Sequence, residues 1–346
     1  GVQSPGIIGD VNKSLTTAKM INCYTIDTVE LNSTANSLLI TDCEKLDAAT
    51  LRTYATTLGS AYGEDYLAQN TIFPVLAWQN RGAPTSLTTD AQGVYLINNA
   101  DELRLLSYLV RKGNNFRNKK ILLTADIDLE NKPWLSIGGY LESKLYAFEG
   151  SFNGGGHRIY NINAWEMTGG FTGLFGKAAY GVIENLGIES GVIVGKDKVA
   201  GIAGNLASGA TIQRCYNKAT LYGNLHVGGI AGMVNLGTSV IRNCYNTGMV
   251  YSRNVVDQSA GLVGYLASDC KNATVENCYD IGNYNAVLCH INDAATGTII
   301  RNTYSVGGVK MVAKSLTGAY TLEDGTVRYG FVSASGRMYM DNKASD

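Results

Sequence analysis

Between residues 173 and 303, the apolar positions of the chain recur as two short motifs that alternate. The first is a tetrad in which two glycines flank two apolar residues, as in Gly201-Ile-Ala-Gly204, and it begins at residues 173, 201, 229 and 261. The second follows each tetrad, as in Ile241-Arg-Asn-Cys244, and it begins at residues 183, 212, 241, 275 and 300. A period of about 25 to 34 residues is typical of solenoids, whose repeats stack and bury their apolar faces against one another.

The second motif predicts a bend in the chain. Ile241 and Cys244 are three residues apart, so a straight strand, whose side chains alternate, could not point both inward. A bend at Asn243 solves this, because asparagine tolerates the left-handed conformation. Coils stacked about 4.8 Å apart would let the asparagines of this position exchange amide hydrogen bonds. The predicted ladder is Asn161, Asn185, Asn243, Asn277 and Asn302, interrupted by Arg214 for no reason visible in the sequence.

These patterns predict an all-β fold, a right-handed parallel β-helix with short capping helices. Its first apolar ladder is predicted as Ile159, Ile183, Ile212, Ile241, Val275 and Ile300. Its second is predicted as Ile162, Leu186, Cys215, Cys244, Cys278 and Thr303. The glycine tetrads supply a third strand, with glycine where the backbone turns or another segment approaches closely.

Three segments are expected along the chain. Residues 1–86 are interpreted as the tail of a preceding repeat array, with a helix over Asp47–Leu58. Residues 87–315 are interpreted as the β-helix, with a helix over Ala100–Lys112 that caps the coil starting near Ile121. Residues 316–346 are interpreted as a C-terminal cap that contains a hairpin over Tyr320–Tyr329.

Composition removes several classes of function. The formal net charge is −1 and no basic stripe occurs, which argues against a nucleic-acid partner. No apolar run reaches the roughly 18 residues that span a membrane. Neighbouring parallel strands hold cysteines too far apart for an unstrained bridge, so Cys215, Cys244 and Cys278 are predicted to be free buried thiols. Neither a Cys-x-x-Cys motif nor zinc-like spacing is present, and no metal or cofactor is expected.

The repeat resembles that of the GLUG-motif proteins of bacterial surfaces. The tetrad and the Asn-Cys-Tyr motif carry the resemblance, together with the tail Thr247-Gly-Met-Val250 and the lead-in Phe152-Asn-Gly-Gly-Gly-His157. The segment Phe73-Pro-Val-Leu-Ala-Trp78 resembles the one that closes such arrays. The resemblance implies a secreted or cell-surface β-helical module, and related proteins include adhesins. Similar repeats also accompany IgA-specific metallopeptidases, but the His-Glu-x-x-His signature of those enzymes is absent here.

Four tyrosines are the candidate ligand-binding residues. Each follows the second ladder by one residue and is therefore predicted to point outward, in a stripe of Tyr216, Tyr245, Tyr279 and Tyr304. Aromatic stripes can bind sugar rings. The alternative interpretation is that the stacked rings only stabilise the pairing of adjacent strands.

Other candidates for chemistry are weaker. Asp126 and Asp128 share one face of a strand and could bind calcium, act as an acid–base pair, or simply be solvated. His157 opens a strand and is interpreted as structural. The expected function is a monomeric, non-enzymatic module on the bacterial surface that binds a glycan or a surface protein. The alternatives are a β-helical polysaccharide lyase or glycosidase, and a passive spacer.

Overall fold

The structure of the chain is a computed structural model. It describes residues 19–21, 23–26, 39–41, 44–68, 72–80, 82–141, 143–168, 170–253, 259–282, 288–291, 295, 297–305, 319–321, 327–329, 331–332 and 338–339. The chain divides into two compact units, residues 1–83 and 84–346. No helix in the described part is long and apolar enough to cross a bilayer.

The first unit contains short paired strands. Lys19–Ile21 pairs in parallel with Leu39–Thr41, and Tyr24–Ile26 pairs in parallel with Glu44–Leu46. Tyr62–Gly63 pairs antiparallel with Val75–Leu76, which is followed by the 3₁₀ helix Ala77–Asn80. The strands Leu39–Thr41 and Glu44–Leu46, which the sequence pattern did not single out, therefore lie beside Lys19–Ile21 and Tyr24–Ile26.

Helix α1 of the first unit is shorter than predicted. It begins directly after Asp47, the first residue of the predicted helix, whose side chain accepts a hydrogen bond from the Thr50 amide, but it spans only Ala48–Leu51. Turns occupy residues 52–58. Four threonines lie between residues 50 and 57. Their branched side chains lose rotamer freedom in a helix and compete for its backbone groups, which accounts for the early end.

The second unit is a parallel β-solenoid of about seven turns. Its longest sheet holds Tyr95–Ile97, Lys120–Leu123, Ile127–Asp128, Ser151–Asn153, Arg158–Tyr160, Val182–Ile188, Thr211–Asn217, Val240–Arg242, Tyr245–Asn246, Thr274–Asp280 and Ile299–Ser305. The second sheet holds Pro133–Trp134, Ile162–Glu166, Gly191–Gly195, Thr220–Gly223 and Val250–Ser252. The third sheet holds Phe175–Ala179, Ala203–Ala207, Ala231–Asn235, Val263–Leu266 and Leu288–Ile291. A short sheet holds Asp197–Ala200, Leu225–Gly228 and Ser259–Ala260.

In the described part of the second unit, antiparallel hairpins accompany the coils. Gly139–Leu141 pairs with Lys144–Tyr146, early in the solenoid. Near the C-terminus, Ala319–Thr321 pairs with Val327–Tyr329, which confirms the predicted hairpin, although its turn lies outside the described residues. Phe331–Val332 pairs with Met338–Tyr339.

Helix α2 covers the first coils as predicted. It spans Ala100–Arg111, with the Asn99 side chain as its N-cap. Its apolar face joins the solenoid core. Its buried polar side chains bond to backbone carbonyls of the coil beneath: Ser107 Oγ donates to Leu135 O at 2.6 Å, and Arg111 Nη2 donates to Ser136 O at 3.0 Å. The helix thus satisfies backbone groups as well as covering apolar surface.

The two apolar ladders are confirmed from residue 183 onward, but their first members were wrong. Ile183 lies beside Phe152, whereas Ile159 lies beside Ile188 further along the same sheet. Ile162 is the first residue of the strand Ile162–Glu166 in the second sheet, where it lies beside Gly191. The early coils have two well-separated short strands where most of the later coils have a single bent strand, so matching the motif to Ile159 displaced the register.

The bend at the second motif is confirmed. Asn185, Asn243, Asn277 and Asn302 all have positive φ angles between 46° and 54°. Arg214 adopts the same conformation, with φ of 53°. Asn161 also has a positive φ, but it follows the strand Arg158–Tyr160 and occupies a different turn. Together these residues form the bend ladder, which consists of Asn185, Arg214, Asn243, Asn277 and Asn302.

A second polar ladder lies inside the solenoid. Asn217, Asn246 and Asp280 have at most 1% of their surface exposed, and we call them the buried amide ladder. Asn217 Nδ2 donates to Asn246 Oδ1 at 2.8 Å, and Asn246 Nδ2 donates to Asp280 Oδ1 at 2.8 Å. The amides of Asn217 and Asn246 also bond to the backbone two residues onward. The sequence analysis did not predict this ladder.

The buried amide ladder explains the first glycine of each later tetrad. A Cβ atom built on Gly201, Gly229 or Gly261 would overlap the side chain of Asn217, Asn246 or Asp280, respectively. The second glycine of each later tetrad, Gly204, Gly232 or Gly264, faces the backbone of the short sheet, around residues 198–199 and 226–227. The tetrad therefore has glycine wherever another segment comes too close for a side chain, as expected from its composition.

Candidate functional site

The predicted tyrosine stripe forms on the outer face of the longest sheet. The rings of Tyr216 and Tyr245 stack with centroids 4.9 Å apart and an interplanar angle of 6°. The rings of Tyr245 and Tyr279 stack at 5.0 Å and 3°. The backbone of Tyr304 pairs with that of Tyr279, and its side chain lies outside the described residues. We call Tyr216, Tyr245 and Tyr279 the tyrosine stripe.

Packing covers both flat faces of Tyr216 and Tyr245 and one face of Tyr279. Each ring lies on the next, and the outer face of Tyr216 lies against Gly187, where a Cβ atom would overlap the ring. Tyr279 is the most exposed of the three, at 42%. Around Tyr216 and Tyr245 the surface therefore presents ring edges and hydroxyl groups along the solenoid axis, rather than open aromatic faces. Stacked rings on adjacent strands also stabilise the pairing of those strands, as the alternative interpretation of the tyrosines expects.

One end of the stripe is tied to a charged pair. Glu189 accepts hydrogen bonds from Tyr216 Oη at 2.6 Å and from Lys218 Nζ at 2.7 Å. Burial and the bond to Glu189 raise the pKa of the Tyr216 phenol well above its usual range. Burial opposes ionisation of Glu189, but its bonds from Lys218 and Tyr216 outweigh this and lower its pKa. The hydroxyl of Tyr216 is thus a fixed donor, and it does not titrate near neutral pH.

A charged ladder runs beside the stripe, one residue before the bend ladder. It consists of Glu184, Gln213, Arg242, Glu276 and Arg301, which occupy one register position in successive coils. Gln213 Nε2 donates to Glu184 at 2.6 Å, and Gln213 in turn accepts from Arg242 Nε at 2.8 Å. Arg301 Nε donates to Glu276 at 2.6 Å. The sequence patterns described above did not indicate this ladder, although comparing the residue at this repeat position in each coil would have revealed it.

The structure also explains Arg214, which interrupts the asparagines of the bend ladder. Its Nε donates to Asn185 Oδ1 at 2.6 Å, and its Nη2 pairs with Glu184 at 2.5 Å. The guanidinium therefore makes the contact to the preceding coil that an asparagine amide would make. Asn302 Nδ2 makes the predicted amide bond to Asn277 Oδ1 at 3.2 Å.

The other candidates have structural contacts. Asp126 Oδ1 accepts from the Arg158 amide at 3.0 Å and lies 3.1 Å from His157 Nδ1. Asp128 Oδ1 accepts from the Glu130 amide at 2.7 Å and from Asn161 Nδ2 at 2.8 Å. These bonds lower the pKa of both carboxyls. Asp128 thus fixes a local backbone turn, whereas Asp126 ties its segment to the start of the strand Arg158–Tyr160 and is the partner of His157.

The described cysteines are free thiols, as predicted for Cys215, Cys244 and Cys278. Cys215, Cys244, Cys270 and Cys278 are buried and unbridged. The Cys244 amide donates to Cys278 Sγ at 3.4 Å, so the thiols belong to the ladder packing. Burial is the main cause of the raised pKa of Cys244, which disfavours the reactive thiolate. Among the described residues, no group of three or more His, Cys, Asp or Glu side chains could hold a metal ion.

The chain is similar to one known protein in part of its sequence and to another in its fold. No protein-family model matches it. It is 32% identical to halomucin of Haloquadratum walsbyi over 129 residues, a match covering 35% of this chain and only 1% of halomucin. The crystal structure of a candidate immunoglobulin A1 protease from Bacteroides ovatus matches with a TM-score of 0.53 and 19% identity, over 70% of this chain and 81% of that one. This similarity shows that the two proteins share the β-solenoid fold.

Proposed function

We propose that this chain is a non-enzymatic, extracellular surface module that binds an extended ligand along the tyrosine stripe. The supporting observation is the alignment of the stripe. Three tyrosines repeat at about 5 Å along the axis, with the paired Glu189 and Lys218 at one end. Because both ring faces of Tyr216 and Tyr245 are covered, recognition at these two residues uses the hydroxyl groups and ring edges. Such a row suits a polymer with repeating polar groups, of which a glycan is the leading example.

Two similarities support the extracellular location. The partial match is to a protein whose name describes a mucin. The repeat resembles that of GLUG-motif proteins of bacterial surfaces, several of which are adhesins. Both agree with a protein that presents a long, rigid solenoid outside the cell.

The test is a glycan array that includes mucin and plant polysaccharides, probed with the full chain. We expect saturable binding that falls at least tenfold in Tyr245→Ala and Tyr279→Ala. The matched control is Tyr251→Ala, because Tyr222 and Tyr251 form another exposed stacked pair, at 4.9 Å on the second sheet. Tyr245→Phe separates the two modes of contact, since it keeps the stacked ring and removes the hydroxyl.

Other outcomes favour the alternatives. Equal loss in the Tyr251→Ala control would assign the effect to stability and overturn the proposal. Shortening of a bound glycan would favour the lyase or glycosidase, whose acids and bases would come from the charged ladder beside the stripe. No binding on any array would favour the passive spacer.

A further inference from the structure

A cavity of about 440 Å³ lies on another side of the solenoid, against the third sheet. Its walls come from three elements: the hairpin strand Lys144–Tyr146, the end of helix α2 near Gly113, and the third sheet at Lys177 and Tyr180. The volume falls within the range of about 300–1,000 Å³ found for small-molecule sites. The hairpin is an addition to the repeat, and it encloses a surface that later coils leave without this cover.

Lys177 is the unusual residue of this cavity. It lies on the strand Phe175–Ala179 and is half-buried. Within the described part of the chain, its ammonium group makes no hydrogen bond and no ion pair. Burial lowers the pKa of Lys177, against the opposing influence of Glu149 and Asp269. A half-buried cation without a direct partner is costly to keep, and an anionic ligand would compensate for that cost.

The nearest acid in the cavity is already engaged. Glu149 Oε2 accepts from Asn115 Nδ2 at 2.9 Å and forms an ion pair with Arg117 at 3.5 Å. Lys144 is a second cation that lines the cavity. Its Nζ lies 5.0 Å from the centroid of the Tyr146 ring, which also lines the cavity. The charges that face the cavity are therefore two lysines and one carboxylate that has other partners.

We infer that this cavity binds a small organic carboxylate with hydroxyl groups, of the hexuronic acid class. The carboxylate would pair with Lys177 as a charge-assisted contact. Asn115 and Ser208, which also line the cavity, supply polar groups for ligand hydroxyls. Tyr146 and Leu145 supply apolar surface for the carbon skeleton. This site goes beyond the proposed function and depends on none of the residues of the tyrosine stripe.

The experiment is a calorimetric titration of the full chain with sodium glucuronate, with glucose as the neutral analogue. We expect saturable binding of glucuronate at least tenfold tighter than that of glucose. Lys177→Met should abolish this preference while keeping the length and packing of the side chain. Lys132→Met is the matched control, because Lys132 is exposed and lies outside the cavity, with Glu130 as its partner. Tyr245→Ala should leave glucuronate binding unchanged, which separates this site from the stripe.

A second measurement covers the case in which Lys177→Met fails to fold. The lysines of the wild-type chain are dimethylated with ¹³C, and the resonance with the lowered pKa is followed by NMR. Glucuronate should raise that pKa, because a bound carboxylate favours the charged amine. Equal affinity for glucose and glucuronate, no heat at millimolar glucuronate, or unchanged binding in folded Lys177→Met would each overturn the inference.

Discussion

Two polar ladders run through the same coils of this solenoid, and they use asparagine for different reasons. In the bend ladder the residues lie at the surface with positive φ, and Arg214 replaces asparagine there. In the buried amide ladder Asn217 and Asn246 have ordinary backbone conformations and no exposed surface. There each side-chain amide donates two hydrogen bonds, one to the ladder residue of the next coil and one to the backbone carbonyl two residues onward.

The difference shows which property each position requires. The bend ladder needs a residue that tolerates the left-handed conformation, and the side chain is a secondary matter. The buried amide ladder needs a group that both donates and accepts, in a space with no water to replace it. It also needs glycine opposite, which is why the tetrads accompany it. A change made in both ladders should therefore have unequal consequences.

The largest effect is expected from Gly229→Ala. Its new methyl group would overlap the Asn246 side chain and the Gly261 carbonyl, which are packed in the interior. We expect the free energy of unfolding to fall by more than about 3 kcal/mol, since overpacking at this site meets backbone that cannot move away. Urea unfolding followed by circular dichroism measures the change.

Gly237→Ala is the control for Gly229→Ala. Gly237 has a φ of 106°, and a Cβ atom at this position would meet open space, apart from the Gly209 amide at 3.7 Å. Only the backbone conformation is then penalised, at about 1 kcal/mol. Equal losses in the two variants would mean that the close approach to the buried amide ladder is not what requires glycine in the tetrad.

A smaller effect is expected from alanine in the ladders themselves. Asn246→Ala removes the donor to the buried Gly248 carbonyl and to Asp280 Oδ1, together with the acceptor of one Asn217 N–H, so it should cost about 2 kcal/mol or more. Asn243→Ala retains the bend at a cost of about 1 kcal/mol, and Asn243→Gly should cost almost nothing. Thermal unfolding of the three variants gives the order, and a loss in Asn243→Gly as large as that in Asn246→Ala would contradict the comparison.

Much of the fold could be predicted because the motif spacing reports the stacking directly. Ile183, Ile212 and Ile241 recur at the same position of each coil, and the bend at Asn243 follows from side-chain alternation. The register of the earliest coils could not be predicted, because Phe152 rather than Ile159 continues the ladder and lacks the motif around it. The buried amide ladder was missed because Asn217 and Asn246 look like ordinary polar residues after a tyrosine.

The candidate sites were predicted to different extents. The tyrosine stripe follows from one residue per repeat, whereas the covering of its ring faces depends on the angle of stacking and on Gly187. The cavity at Lys177 depends on a hairpin outside the repeat and on the distance between elements far apart in sequence. No periodicity in the sequence carries that information.

The smallest of these effects concerns Asp280, where the buried amide ladder ends in a carboxyl group. Its Oδ2 atom is buried and has no hydrogen-bond partner among the described residues. Burial raises the pKa of Asp280 above its ordinary value of 3.8. The folded chain therefore keeps this proton at pH values where the unfolded chain has lost it. The stability that the protonated carboxyl contributes is present at low pH, and it is lost as the pH rises from 3.8 through the raised folded value.

Asp280→Asn supplies an uncharged amide at this position and should remove that loss. We expect the variant to gain about 1 kcal/mol over the wild type at pH 7. The gain should shrink as the pH falls towards 3.8, because the wild-type carboxyl then becomes neutral as well. Urea unfolding of both chains between pH 4 and 8 measures this difference, and subtraction removes the titration of the other carboxyls. A difference that is constant with pH would show that Asp280 remains ionised in the fold, so that its burial does not control its charge.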